Sequence, residues 1–440
     1  MPGRLPPSTD GHRLKRFSGL NPGMGWAETD TMHLIRSLIM TSSREALREM
    51  DRVGVDPTGL KLMVGKTLHL NLKVEGLDPR TANLLKQEML SLGGDAAVDR
   101  RGFDCSLEST DAILMGTQKQ IEMLARKLDR YPSHQPLGQT IRQTLRNVSR
   151  SRYSLRCRGV PLPLGPRTLI MGILNVTPDS FSDGGRYQEK ETAVAHGLRM
   201  VEEGADLLDV GGESTRPGSK PLPLEEELRR VLPVIEALTK QVSVPISIDT
   251  YKSAVAQRAI DAGASIINDI SGLRFDPLLA QVAARHDTPM ILMHLRGTPE
   301  TMQRDVHYDS LFSEILRSLS ESVQGAEAAG VDPRQIVLDP GIGFGKTVEH
   351  NLLILKNLSE FRVLGKPILL GTSRKTFIGK ILQEEVDQRL EGTLSSIAIG
   401  ILHGAHIIRT HDVLPARKVI AVADAIRLAG ETQEPMVNDQ

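Results

Sequence analysis

Leu169-Ile170-Met171-Gly172-Ile173-Leu174-Asn175-Val176-Thr177-Pro178-Asp179 is the stretch that separates two architectures. Its apolar run is continuous rather than alternating, the pattern of a parallel strand covered on both faces. An open doubly wound sheet would place a glycine fingerprint directly after its first strand. Here that position carries Asn175, Thr177, Pro178 and Asp179 instead. Seven further apolar runs follow, at 207–210, 245–248, 265–267, 290–293, 336–338, 367–370 and 406–408. Helical patterns lie between them, over 191–203, 224–238, 253–262, 312–329 and 415–429. Strand and helix repeated eight times in about 270 residues is the arithmetic of a closed (β/α)8 TIM barrel. The expected barrel covers 153–430, with 431–440 as a tail.

Upstream the pattern is different. Residues 1–30 are rich in Pro, Gly and Arg, lack the apolar core of a signal peptide, and are expected to be disordered. A small α+β accessory domain is expected over 31–135: a helix over 32–50, a strand over 62–74, a helix over 79–92, short strands at 96–98, 103–107 and 112–115, and a helix over 118–128. The stretch 131–167 contains no Asp or Glu and many Arg. It is read as a solvated linker over 136–152, or alternatively as a basic rim near an anionic substrate, and its last part as a hairpin over 154–164.

Composition removes several classes. The 440 residues contain 54 Lys+Arg and 54 Asp+Glu, so the basic excess of a nucleic-acid footprint is missing, and aromatics at 3% are too few for a stacking platform. The two cysteines, Cys105 and Cys157, fit neither a disulfide framework nor a CxxC metal site, and no apolar run is long enough to span a bilayer. A soluble cytoplasmic protein is expected.

The strongest signal is where polar residues fall. The eight apolar runs lead into Asn175; Glu213, Ser214, Thr215 and Arg216; Asp249; Asn268 and Asp269; His294; Asp339; Ser373, Arg374 and Lys375; and Arg409, Thr410, His411 and Asp412. In a barrel all these strand ends open on one face. A single strand-end Asp is more often a helix cap, but eight polar endings exceed what capping explains. Arg216, Lys375, Arg409 and His411 suit a diphosphate or carboxylate. Asp249, Asn268 and Asp339 suit the donor-rich edge of a heterocycle. DPGIGFGK at 339–346 would let backbone approach a ligand closely, yet it is neither a P-loop nor GxGxxG. Val64-Gly65-Lys66-Thr67 misses a P-loop because Leu60 stands where glycine is needed. HExxH and GxSxG are absent; His294 is either a ligand-facing group or a satisfied barrel histidine, and His350 and His403 are read as structural. The chemistry expected is positioning and electrostatics rather than covalent catalysis.

These motifs carry a resemblance. GILNVTPDSFSDGG at 172–185 and GGESTRPG at 211–218 resemble the two signatures of the dihydropteroate synthases. SIDT at 247–250, NDIS at 268–271, MHLRGTP at 293–299, DPGIGFGK, SRK at 373–375 and RTHD at 409–412 match in the same order. The resemblance implies condensation of 6-hydroxymethyl-7,8-dihydropterin diphosphate with 4-aminobenzoate, Mg2+ as cofactor, sulfonamides as competitors of aminobenzoate, and a homodimer formed through late barrel helices, with 397–402 at the interface or in the core. It implies that Asp249, Asn268, Ile270, Met293, Asp339 and Lys375 bind the pterin. Asn175, Thr215, Arg216, Arg409 and His411 would bind the diphosphate, and Phe181, Pro217, Phe344 and Ser373 the aminobenzoate. Asn175 and Asp183 would hold the metal; Arg216, Lys375 and Asp249 would be catalytic. The alternative is a pterin-dependent methyltransferase acting on a corrinoid protein, which needs no diphosphate site. The accessory domain resembles no fused pyrophosphokinase; a packing or dimer-supporting role stands beside a regulatory one.

Overall fold

A computed structural model describes residues 34–40, 42–102, 107–177 and 186–429. The expectations for 1–30, for 431–440, and for most of a strand at 103–107 lie outside the described residues. Residues 34–40 are irregular, with Leu34, Ile35 and Ile39 exposed, and belong to a separate N-terminal unit.

The accessory region contains α1 (Ser43–Val53), α2 (Pro57–Thr67), β1 (His69–Leu77), α3 (Pro79–Ser91), β2 (Asp95–Val98), β3 (Thr110–Thr117), α4 (Gln118–Leu128) and α5 (Gln135–Ser149). The antiparallel sheet has the order β1-β3-β2. Three expectations need correction here. The first helix begins at Ser43, not 32, because the Ser42 side chain accepts from Glu45 N (3.2 Å) and starts it there. The strand expected from 62 begins at His69; Asp56 accepts from the N–H groups of Thr58 and Gly59, and Pro57 occupies the first turn, so 57–67 is helical. The expected linker at 136–152 is largely α5, whose Ile141 and Leu145 are buried with Ile121, Leu124 and Leu128 of α4. Leu137, Ile141 and Leu145 recur at helical spacing; the lack of acidic residues obscured that signal.

The hairpin over 154–164 is present as β4 (Tyr153–Cys157) and β5 (Val160–Leu164). The barrel strands are β6 (Leu169–Asn175), β7 (Leu207–Gly211), β8 (Ile246–Asp249), β9 (Ile266–Asp269), β10 (Met290–Met293), β11 (Ile336–Asp339), β12 (Leu369–Leu370) and β13 (Ile407–Thr410). All neighbours pair in parallel, in the order β11-β10-β9-β8-β7-β6-β13-β12, and a bridge between Leu338 and Ile368 closes the ring. The outer helices are α6 (Arg186–Glu203), α7 (Leu224–Thr239), α8 (Ser253–Asp261), α9 (Leu278–Arg285), α10 (Leu311–Ala328), α11 (Val348–Lys356), α12 (Thr376–Leu382), α13 (Leu390–Leu402) and α14 (Val413–Arg427).

Within each strand the side chains alternate between the helices and the barrel interior. Leu169, Met171, Leu207, Ile266, Ile291, Val337, Leu369 and Ile407 form the lower interior. Leu155, Leu164 and Cys157 of the hairpin pack into the same cluster and plug that end. Burial in this apolar plug pushes the Cys157 thiol up to about 12. Two residues further along β7, β9, β11 and β13 the inward positions are Asp209, Asn268, Asp339 and Arg409.

Candidate active site

The polar layer is built around Arg409. Its Nε donates to Asp209 Oδ2 (2.6 Å) and its Nη2 to Asp249 Oδ2 (2.7 Å). Asn268 Nδ2 donates to the same Asp209 oxygen (2.9 Å). Asp209 is fully buried in the middle of β7, and its Oδ1 has no hydrogen-bond partner. Sequence reasoning missed Asp209, because an aspartate inside an apolar run looked like part of the strand. The signal available was its period-2 phase: it sits two residues beyond the inward Leu207.

The charges are strongly perturbed. Burial holds the Asp249 carboxyl far above the ordinary range, at about 7, against the pull of Arg409 and with Asp209 adding repulsion. Asp339 is raised by burial, although Gly341 N donates to its Oδ1 (2.7 Å) and Lys375 lies near. Burial pushes the Lys375 ammonium down to about 8, assisted by the positive charge of Arg409. Its Nζ lies 3.9 Å from the centre of the Phe344 ring, a cation–π contact. Arg409 is held more firmly charged by its two carboxylate partners.

Beside this layer Ile270, Met293, Leu295, Met302 and Phe344 form a small apolar wall. The loop after β11 carries Phe344. Gly341 in that loop has φ +72°, and a Cβ there would stand 1.9 Å from His294 O, so only glycine fits. Lys346 is buried behind it. Its Nζ approaches His294 Nδ1 (2.9 Å) and donates to Phe344 O (3.1 Å). Burial lowers its amine to about 7 and that of the His294 imidazole to about 2. His294 is thus a satisfied barrel histidine in contact with Lys346.

After β12 and β13, Ser373 Oγ lies 2.9 Å from His411 Nδ1 and accepts from His411 N (3.2 Å). Arg374, which has φ +56°, makes a paired contact to Asp412 (3.0 and 2.6 Å) and faces away from the layer's carboxylates. Asn268 and Asp269, adjacent at one strand end, part company: Asn268 enters the polar layer, whereas Asp269 accepts from Ser271 N, Ser271 Oγ and Leu273 N and shapes the next loop. Asn175 ends β6 beside Gly211, which itself pairs with Asp249.

The structure therefore brings Asp249, Asn268, Asp339, Lys375 and Arg409 together, with Ile270, Met293 and Phe344 beside them and Ser373 joined to His411. Thr215, Arg216 and Pro217 occupy the loop after β7, with Arg216 and Pro217 exposed. That loop is tied to the β10–α10 loop by Gly218 N donating to Pro299 O (3.0 Å). Phe181 and Asp183 lie outside the described residues. No described group of three or more His, Cys, Asp or Glu could hold a metal ion.

The arrangement gathers buried carboxylates, an amide and the cations Arg409 and Lys375 in one layer, a set suited to a flat, donor-rich ligand. The pterin binding enzyme family matches residues 171–411. The dihydropteroate synthase of Bacillus subtilis is 50% identical over 260 residues, covering 59% of this chain and 89% of that protein. A Halobacterium salinarum protein described as a probable bifunctional folylpolyglutamate synthase/dihydropteroate synthase is 39% identical over 409 residues, 93% of this chain and 48% of its own length. That span is too long for the barrel alone and takes in the accessory region. The structure of the Xanthomonas albilineans dihydropteroate synthase with 4-aminobenzoic acid is 45% identical, with a TM-score of 0.59, covering 63% of this chain and 98% of that one. By sequence, fold and the convergence of its strand ends, this chain belongs to the pterin binding enzymes, in the dihydropteroate synthase branch of that family.

Proposed function

We propose that this enzyme joins 6-hydroxymethyl-7,8-dihydropterin diphosphate to 4-aminobenzoate, releasing 7,8-dihydropteroate and diphosphate. The observation that carries the reading is the buried Asp209–Arg409–Asp249 network with Asn268 attached, next to Lys375 and Asp339. A carboxylate with a raised affinity for protons, an amide and an ammonium match the alternating donors and acceptors of a pterin edge. In this reading Asp249, Asn268, Asp339 and Lys375 hold the ring, and Ile270 and Met293 line its face.

The C–O bond between the pterin methylene and the diphosphate breaks as the arylamine nitrogen forms its bond to that carbon. Positive charge builds at the methylene and spreads into the ring, where Asp249 and Asp339 stabilise it. Arg216, Thr215, Arg409 and His411 receive the departing diphosphate, with Asn175 beside them. The arylamine is a sufficient nucleophile without a strong base, and after attack it gives up its proton to the departing diphosphate. Ser373, Phe344, Pro217 and Phe181 orient it. Holding both partners in line supplies roughly 7–11 kcal/mol of barrier reduction.

Hard oxygen donors suit Mg2+, which commonly binds through one or two protein ligands and substrate phosphates; Asn175, with Asp183, would hold it. Mg2+ when bound supplies charge neutralisation of the leaving diphosphate. We also assign the enzyme to the cytosol; separately, no described helix is long and apolar enough to cross a membrane. A homodimer is supported by Ile399 and Leu402 of α13 and Val422 and Ile426 of α14, all exposed, while Ile397 and Ile401 of the same stretch are core. We divide the chain into an accessory domain through α5 and a barrel from β4 onward.

The decisive experiment mixes the full chain with the pterin diphosphate, Mg2+ and 4-aminobenzoate and follows diphosphate release. Turnover that stops in Arg216→Ala is expected. Absence of release from the wild type sinks the reading and revives methyl transfer to a corrinoid protein.

A further inference from the structure

The accessory region touches the barrel at two heights. At the floor, Asn147 Nδ2 of α5 donates to Val363 O (2.7 Å), in the segment that precedes β12. At the rim, Glu75 of β1 meets the first turns of α10: Ser313 Oγ donates to Glu75 Oε1, and Arg317 Nη2 lies 3.9 Å from Glu75 Oε2. Because α10 follows the C-terminal end of β10, this second contact lies at the mouth of the bowl.

From Glu75 an unbroken chain of contacts runs inward. Ser313 Oγ shares a hydrogen bond with Ser310 Oγ (2.7 Å), and Ser310 N donates to Glu314 Oε1 (3.1 Å). The other Glu314 oxygen accepts from Arg296 Nη1 (2.7 Å). The Arg296 guanidinium lies over the Tyr308 ring, 4.5 Å from its centre. Tyr308, itself buried, donates its hydroxyl to Gly345 O (2.9 Å). Gly345 has φ +62° and sits so close to Arg296 that a Cβ would be 2.7 Å from Arg296 O. The next residue back is Phe344, whose ring lies against Lys375.

We propose that the accessory domain is a strut for the aminobenzoate wall, with Glu75 as a positioning residue. Glu75 holds the start of α10, and through Glu314, Arg296 and Tyr308 it sets the backbone that carries Phe344. The inference rests on the assignment of Phe344 to the aminobenzoate side of the bowl. It gives the accessory domain a place in substrate binding without a group in the reaction. Glu75 is partly exposed, so its contacts are individually weak and a modest effect is expected.

The test uses the full chain. Glu75→Ala should raise KM for 4-aminobenzoate about 2- to 5-fold, leaving KM for the pterin diphosphate and kcat nearly unchanged. Tyr308→Phe should do the same, and the double variant should be no worse than the more affected single. Glu75→Gln, which keeps an acceptor for Ser313, should restore most of the loss. Glu88→Gln is the control: it weakens the Glu88–Lys127 pair inside the accessory domain (2.5 Å) and should leave both KM values alone. Amide exchange over 294–310 and 341–347 should quicken in Glu75→Ala and stay unchanged in Glu88→Gln, whichever substrates the enzyme accepts. An unchanged aminobenzoate KM in Glu75→Ala, additive effects in the double variant, or unaltered exchange in those loops overturns the strut. Quickened exchange in a wild-type background that shows no turnover would instead overturn the reaction assigned above and leave the mechanical link standing.

Discussion

The floor and the rim of this barrel are made by the same strands, yet they obey opposite rules. At the floor, inward positions such as Leu207, Ile266 and Val337 meet the hairpin residues Leu155 and Leu164 in an apolar plug. Two residues further along, the inward positions are Asp209, Asn268 and Asp339. The floor is stabilised by area removed from water. The rim gains little from burying charge and holds it only because each group has a partner. Specialisation is thus written along each strand rather than assigned to different strands.

The largest expected effect tests whether the rim charges depend on their partners. Arg409→Leu leaves Asp209 and Asp249 without their shared cation. Breaking a buried network from one side typically costs about 3–5 kcal/mol, so thermal unfolding should show a large loss, and diphosphate release should vanish. A variant that lost activity with no change in unfolding would mean that the two carboxylates do not depend on Arg409. Next in size is a floor change. Leu155→Ala empties part of the plug and should cost about 2–5 kcal/mol, while kcat and both KM values of the folded enzyme stay near wild type. A selective rise in either KM would blur the division between floor and rim.

The smallest effect sharpens the electrostatic side. Lys346 and Lys375 have amines lowered to about 7 and about 8, against 10.5 in the unfolded chain. At these two sites the unfolded chain therefore binds more protons than the native one between pH 8 and 10, and they make stability rise with pH, offset in part above about 9 by the buried Cys157 thiol, which keeps its proton in the fold. The contribution is complete above the unfolded value and is lost as pH falls toward 7. Asp249 adds little slope in that window, being almost fully ionised in both states from about pH 8 upward. The slope is at most about 1.4 kcal/mol per pH unit for each group. Unfolding of ligand-free Lys346→Met across pH 8–10 should show a shallower rise than wild type; parallel curves would mean that Lys346 is not the buried amine described.

Much of this was legible in the chain. The eight continuous apolar runs correspond to β6 through β13, and the residues that close them supply Asp249, Asn268, Asp339, Lys375 and Arg409. Such ends are readable because a parallel strand must stop at its polar residues and a barrel has one C-terminal face. Other features were hidden. Asp269 looked equivalent to Asn268 until the alternation turned one inward and the other outward. In α5, an arginine-rich surface concealed an apolar stripe. At α1, the capping power of Ser42 outweighed an apolar run further upstream.

From its residue order alone, this protein's barrel, its one polar face and the chemistry gathered there could be stated, because those depend on local periodicity and on where each strand ends. Only the tertiary structure decided the pairings: Arg409 lies 200 residues from Asp209 and 160 from Asp249, and Glu75 lies 238 from Ser313. Partners that far apart are selected by how the sheet closes and how the accessory domain docks, and neither leaves a trace in the spacing of residues along the chain.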